Sequence, residues 1–445
     1  MPSNDTDRAA LEYLIGDIVG RDLSAAPALQ AKIRLVLLDT AACAIGSMND
    51  PVVQQVAERF GTLSPGPVRI PGTDIDTGIA DAVFVMTMAA CWFEACEGVA
   101  SAHGRPGLSV IPAAVMIGSA KGLPVKTVLT AIALGYEIGG RLGAAYRVKG
   151  GIHVDGTWGL AASTATAAYL LGGDTPAIRN AVNLALCQMP GSLYLPVITG
   201  DTARNTYAAN ASAESIRLAQ ATLAGVTAPD TVDAEVRRII MDDSRSTAVD
   251  WSMCQPLKIE DAYIKMFAAV RHVHYGVSCA LDWVEQHGNA AAQTIDGLSL
   301  SIYEEAITYC GVRQPRTPIQ AQFSLSYGIA HALTFGSLGP EAYAPERLTY
   351  PEVQRLEALL EIAADPHMPT RGAALLIAVA RKTETISVNA LVGDPGNPVS
   401  EEDVTGKAKT YMSPVIGEAA AETMIKTVMT ADIEEAFNLP HYRLI

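Results

Sequence analysis

The stretch from Leu160 to Gly173, LAASTATAAYLLGG, runs for the length of a helix without a charged residue, and most of its side chains are small. Small side chains let neighbouring helices approach closely, so this segment reads as a core helix in the middle of other helices, not as a loosely packed surface helix. The same texture, rich in Ala, Leu, Val and Gly and broken at SPGP, GLP, GGDTP and MPGS, extends from Ala9 to about Val270. It predicts an all-helical body. The apolar runs Ala82 to Phe93 and Leu160 to Leu171 are shorter than the roughly 18 to 20 residues of a membrane span, so they predict buried helices and no membrane partner.

The pattern changes after Arg271. Leu298, Leu300 and Ile302 alternate with Ser299 and Ser301, and Ile386, Val388 and Ala390 alternate with Ser387 and Asn389, as half-buried strands do. The turn-rich DPGNP at Asp394 to Pro398 ends the second strand. SEEDV then predicts a capped helix start leading into AETMIKTVMTADIEEAF, which returns to the first part of the chain. The fold class expected is therefore mainly α: a large all-helical domain (1–270 and 400–445) and a smaller α+β lid domain (271–399). A cleft between two such domains is a favoured place for a small-ligand site.

Composition narrows the partners. Hydrophobic residues make up 49% of the 445 and charged residues 18%, which predicts an extensive interior and argues against disorder. A formal charge of −15 argues against nucleic acid, whose phosphates need a basic surface, but leaves room for an anionic substrate where cations are locally concentrated. Seven scattered cysteines, with no C-x-x-C, predict reduced core thiols. The opening MPSNDTDRAA has no positive leader followed by an apolar run, so a cytoplasmic protein is expected. GxGxxG after a strand, GxxxxGK[ST], HExxH and GxSxG are all missing, which removes the usual support for nicotinamide, nucleotide and zinc-peptidase chemistry. His272 and His274 form an H-x-H pair, but two residues apart on a helix they would face different ways, so no metal is expected.

Ionisable groups gather among glycines and other small residues in a few segments. FEACEGVASAHGRPG carries Glu94, Glu97, His103 and Arg105; YRVKGGIHVDGTWG carries Tyr146, Arg147, Lys149, His153 and Asp155 around a Gly-Gly break suited to anion contact. GDTARNTYAANASAES carries Arg204 and Tyr207. YIKMFAAVRHVHYG places Lys265 before a helix with Arg271 and His274 three residues apart on one side. QFSLSYGIAHAL adds Tyr327.

These segments carry a resemblance to the MmgE/PrpD family. AKIRLVLLDTAACAIG resembles its early LLDT helix, and His103 before Pro106 and Gly107 its His-Pro-Gly segment; GIHVDGTWG, IKMFAAVRHVH and FSLSYGIA resemble three further signatures, in the expected order along nearly the whole chain. The resemblance implies a helical domain with an α+β lid, a homodimer, a site between the domains, and action on polycarboxylates without metal or organic cofactor. It also implies site roles for Glu94, where Asp is usual, and for His103, His153, Lys265 and Tyr327. Arg204 stands where the family has a lysine.

Those departures direct the functional expectation. An arginine is a planar, permanently charged fork, better as a carboxylate clamp than as a proton shuttle. With Arg105 added and the acidic run reduced to Glu94 and Glu97, the sequence suits a substrate with more carboxylates and no hydroxyl leaving group. Among the activities that the resemblance implies, these features are most similar to epimerisation of iminodisuccinate by proton abstraction and return alpha to a carboxylate; the alternative that the resemblance implies is a dehydratase or decarboxylase of a citrate-like tricarboxylate. His103, Lys265, Tyr327 and His153 are the expected catalytic residues, and Arg204, Glu94, Arg105, Tyr146, Arg147, Lys149 and His274 the expected substrate contacts. Plainer readings stand beside these: Lys265 would also suit a head extended to solvent, Tyr327 a core ring with its hydroxyl satisfied by backbone, and Arg105 and Arg204 ordinary surface ion pairs.

Overall fold

A computed structural model describes residues 4–439 apart from 254 and 370, so Cys254 and the first three residues lie outside it. The other six cysteines are free thiols. The chain is mainly helical, with one four-stranded sheet in its second half.

Helix Gly159–Leu170 takes the central place its composition predicts, with every residue but Tyr169 buried. Around it pack helices Pro106–Lys121, Val125–Ala145, Thr175–Cys187 and Tyr207–Leu223. Small residues make this closeness possible: a Cβ on Gly135 would lie 2.0 Å from Thr166 Oγ1 and 2.9 Å from the Ala162 carbonyl oxygen. Among the described residues, no helix is long and apolar enough to cross a membrane.

The sheet runs in the order Leu360–Ala364, Ile295–Ile302, Ala373–Val379, Lys382–Val388, with the first pair parallel and the others antiparallel. Leu298 and Leu300 face Ile377 and Leu375 across the central ladder, and all four are buried. Helix Arg271–His287 packs on the last two strands and on helix Leu325–Phe335. Only two of the four strands were legible as alternation. Ala373–Val379 is the apolar run AALLIAV, whose composition does not separate a strand from a buried helix, and Ala390 falls beyond the strand that ends at Val388.

The first 270 residues are not wholly helical. Val68–Arg69 pairs with Asp76–Thr77, and Gly98–Val99 with Ala262–Tyr263. Two-residue ladders are too short to show a periodicity, yet the second ties together two loops that carry candidate site residues. At the other end of the chain, Ser400 and Asp403 form the expected capping box, and helix Glu401–Ile416 begins there. Gly417 breaks it from helix Glu418–Thr430, and both pack on helix Pro27–Gly46.

Candidate active site

Between the helical body and the sheet-bearing segment lies a cavity of about 340 Å³. A larger groove of about 1020 Å³, lined by Trp92, Pro315, Pro318, Tyr343 and others, has no comparable gathering of ionisable groups. Chemistry therefore points to the smaller cavity.

Chain breaks place its side chains. Glu94 follows helix Ile79–Cys91 in a left-handed turn, φ 54°, and His103 lies in another, φ 50°, just before Arg105 begins helix Pro106–Lys121. Left-handed backbone is unfavourable for residues with a Cβ, and such strain is retained where surrounding structure holds it, often at functional sites. His153 and Asp155 precede Gly156, whose φ of 87° and contact with Tyr207 leave no room for a Cβ. Arg204 belongs to the single turn Thr202–Thr206, and Lys265 follows the Ala262–Tyr263 ladder.

At the floor three cations surround two carboxylates. Lys265 Nζ donates to Glu94 Oε1 at 2.7 Å and to the Glu94 carbonyl at 2.8 Å. Arg105 pairs with Glu94 at 3.0 Å and with Asp155, while Arg204 pairs closely with Glu94, lies 3.4 Å from Asp155 and donates to Cys91 Sγ at 2.8 Å. All five are buried. Burial works to raise the Glu94 carboxyl, but Arg105, Arg204 and Lys265 prevail and hold it well below its usual range. The cluster carries one positive charge in excess, in surroundings where a charge is only weakly screened.

Lys407, from helix Glu401–Ile416, braces this floor. Its Nζ donates to Asp39 at 2.5 Å, to the Lys265 carbonyl at 2.7 Å and to the Ala95 carbonyl at 2.8 Å. Asp39 in turn accepts the Glu97 N–H at 2.8 Å. Glu97 itself lies beneath the floor, bonded to Tyr136, and burial raises its carboxyl to about 7.

The three histidines that line the cavity are neutral at pH 7. His153 is buried, and burial, with help from Arg204 and Arg105 against Asp155, lowers it to about 4. The Asp155 N–H donates to its Nδ1 at 3.0 Å, so the neutral ring carries its hydrogen on Nε2. His103 is open to the cavity, but the walls around it and the charges of Arg147 and Arg371 lower it to about 4. Burial takes His272 to about 3; its Nδ1 is 2.7 Å from the Tyr303 hydroxyl, and its ring stacks on Tyr309.

Eight of the eleven residues singled out from the sequence line this cavity: Glu94, His103, Arg105, Tyr146, Arg147, His153, Arg204 and Lys265. Three do not. Tyr327 is a core ring whose hydroxyl donates to the Ala342 carbonyl, as the plainer reading had it. Lys149 is exposed and donates to the Ile239 carbonyl at 2.6 Å. His274 is buried between Arg271 and the Ala269 carbonyl. Tyr146 lines the cavity, but its hydroxyl is engaged by Asp233 at 2.7 Å. Lys265 does not extend to solvent, and Arg105 and Arg204 are not surface pairs.

Tyr194, Tyr309 and Arg371, which no sequence signal had singled out, also line the cavity, and so does His272, expected to be structural, where His274 had been expected. His272 was visible in the H-x-H pair, but which histidine faces the cavity depends on how the helix is rotated against its neighbours. Arg371 had only its place before Gly372 and an apolar run as a signal. Among the described residues, no group of three or more His, Cys, Asp and Glu side chains is arranged to hold a metal ion.

Residues 20–240 match the MmgE/PrpD N-terminal domain, and residues 267–432 match the MmgE/PrpD C-terminal domain. The comparison with curated proteins found no match.

Proposed function

The chain belongs to the MmgE/PrpD family and is an enzyme, and from that premise we propose that it epimerises iminodisuccinate by moving a proton on the carbon next to a carboxylate. The observation that carries this reading is a buried floor with one positive charge in excess beneath two histidines that are neutral at pH 7. Taking a proton from such a carbon places a second negative charge on the adjoining carboxylate, and fixed cations nearby lower the cost of that charge.

His103, neutral and open to the cavity, is the base that accepts the proton. Lys265 supplies one from the other side. Burial, opposed in part by Glu94, pulls its ammonium below the usual range, which makes it a readier acid, and Glu94 occupies only two of its three N–H bonds. His153, donating from Nε2, orients a substrate carboxylate. Arg105 and Arg204 act through the field of the floor, because their guanidinium groups are already engaged by Glu94 and Asp155.

The second reading is a lyase acting on a citrate-like tricarboxylate, either a decarboxylase, which expels CO2 and reprotonates carbon, or a dehydratase, which uses the same carbanion but also needs an acid to protonate a departing hydroxyl. Glu94 does not suit that task, since three cations keep it ionised. Proton NMR in deuterated water, with iminodisuccinate, methylcitrate and cis-aconitate supplied separately, tests the choice. Exchange at the alpha carbon of iminodisuccinate without new ultraviolet absorbance is expected, and it should vanish in His103→Ala. A new C=C absorbance with methylcitrate, and no exchange with iminodisuccinate, would establish the lyase instead.

A further inference from the structure

Seven arginine and lysine side chains line the cavity, and their pairing divides them sharply. Arg105, Arg204 and Lys265 are held by Glu94 and Asp155, Arg271 by Asp394 and Arg245 by Asp242. Arg147 and Arg371 have no carboxylate partner among the described residues. A half-buried guanidinium without a carboxylate in direct contact is costly to keep unless something anionic visits it.

These two come from opposite walls. Arg147 follows helix Val125–Ala145, and one of its nitrogens, Nη1, is fixed at 3.0 Å from each of the Gly143, Ala144 and Tyr146 carbonyls, which leaves the rest of the fork uncommitted. Arg371 precedes strand Ala373–Val379 in the sheet-bearing segment. Its backbone is held in the left-handed region, φ 80°, and the Tyr275 hydroxyl is its hydrogen-bonding partner. His103 lies within reach of both charges. The one other acid lining this part of the cavity, Glu305, is exposed; its charge acts on Arg147 through space, but it forms no ion pair with either arginine.

We propose that Arg371 and Arg147 together grip a second carboxylate of the substrate, remote from the reacting carbon, so that the cavity selects molecules with two or more carboxylates. The proposal rests on the carbanion reading above and deepens it. Planar guanidinium forks match a carboxylate at two points, and two of them from different walls fix its position as well as its charge. The floor then acts on the reacting carboxylate, and the Arg147–Arg371 pair on the remote one.

Calorimetric titration of the full chain with succinate and with butyrate separates this subsite from the chemistry. Wild type should bind succinate at least about tenfold more tightly than butyrate, and Arg371→Gln should lose most of that preference while binding butyrate unchanged. Arg147→Gln should do the same, which guards against a folding defect peculiar to the strained position 371. In the exchange assay, Arg371→Gln should raise KM about tenfold and leave kcat nearly intact. Equal binding of succinate and butyrate by wild type, or an unchanged preference in both variants, overturns the proposal. Loss of preference in the variants with no alpha-proton exchange by wild type would keep the subsite and remove the epimerase reading.

Discussion

His153 shows how one ring acquires a role from its neighbours. Its Nδ1 accepts an N–H, its surroundings are dry, and two guanidinium groups act against its protonation, so its value of about 4 lies below the ordinary 6.5. Between those values the unfolded chain holds a proton here that the folded chain rejects. The associated stability is complete above about pH 6.5 and declines as the pH falls towards 4. Urea denaturation at stepped pH should show that decline, and His153→Asn should make it shallower by up to about 1.4 kcal/mol per pH unit; His103, His272, His274 and His331, all lowered in the fold, act in the same direction, and Glu97, raised to about 7, acts in the opposite one. An unaltered slope would mean that His153 is charged in the folded protein. Both loop histidines were legible in the sequence because they lie beside glycine breaks. The choice of His272 over His274 was not, because adjacent turns of sequence do not say which face of a helix meets a cavity.

At the scale of elements, close helix packing and helix propensity make opposite demands. Gly135 lies inside helix Val125–Ala145, where alanine is intrinsically better by roughly 1 kcal/mol. Its position against Thr166, Val110 and the Ala162 carbonyl leaves no space for a methyl group. Gly135→Ala should therefore destabilise by about 1–3 kcal/mol, whereas Gly406→Ala, in an exposed helical position with nothing within 4 Å, should stabilise by about 0.5–1 kcal/mol. Denaturation midpoints of the two variants moving in the same direction would contradict this account. The central helix was readable from its uncharged small residues alone. The strand Ala373–Val379 was not, since an apolar run without alternation fits either kind of buried element.

Across the whole molecule, the last helices close the fold and support the site at once. Lys407 joins helix Pro27–Gly46, through Asp39, to the backbone of the two loops bearing Glu94 and Lys265. Lys407→Met should cost about 3–5 kcal/mol by leaving Asp39 buried and unpaired. Pairing it with Asp39→Asn should restore much of the stability but not the exchange activity, because the loop carbonyls still lack their donor. Recovery of both would show that Lys407 has no positioning role. A molecule with a net charge of −15 thus keeps a positive interior cavity, which its average charge conceals. By itself the sequence determined the helical texture, the change of pattern after Arg271, and the segments in which chemistry gathers, because periodicity and residue type are local properties. Which cations are neutralised and which remain open to a ligand was decided only by tertiary structure. Ion pairing depends on distances between residues far apart in the chain, and Glu94, Arg204 and Lys265 meet only when the helices and loops that carry them have packed.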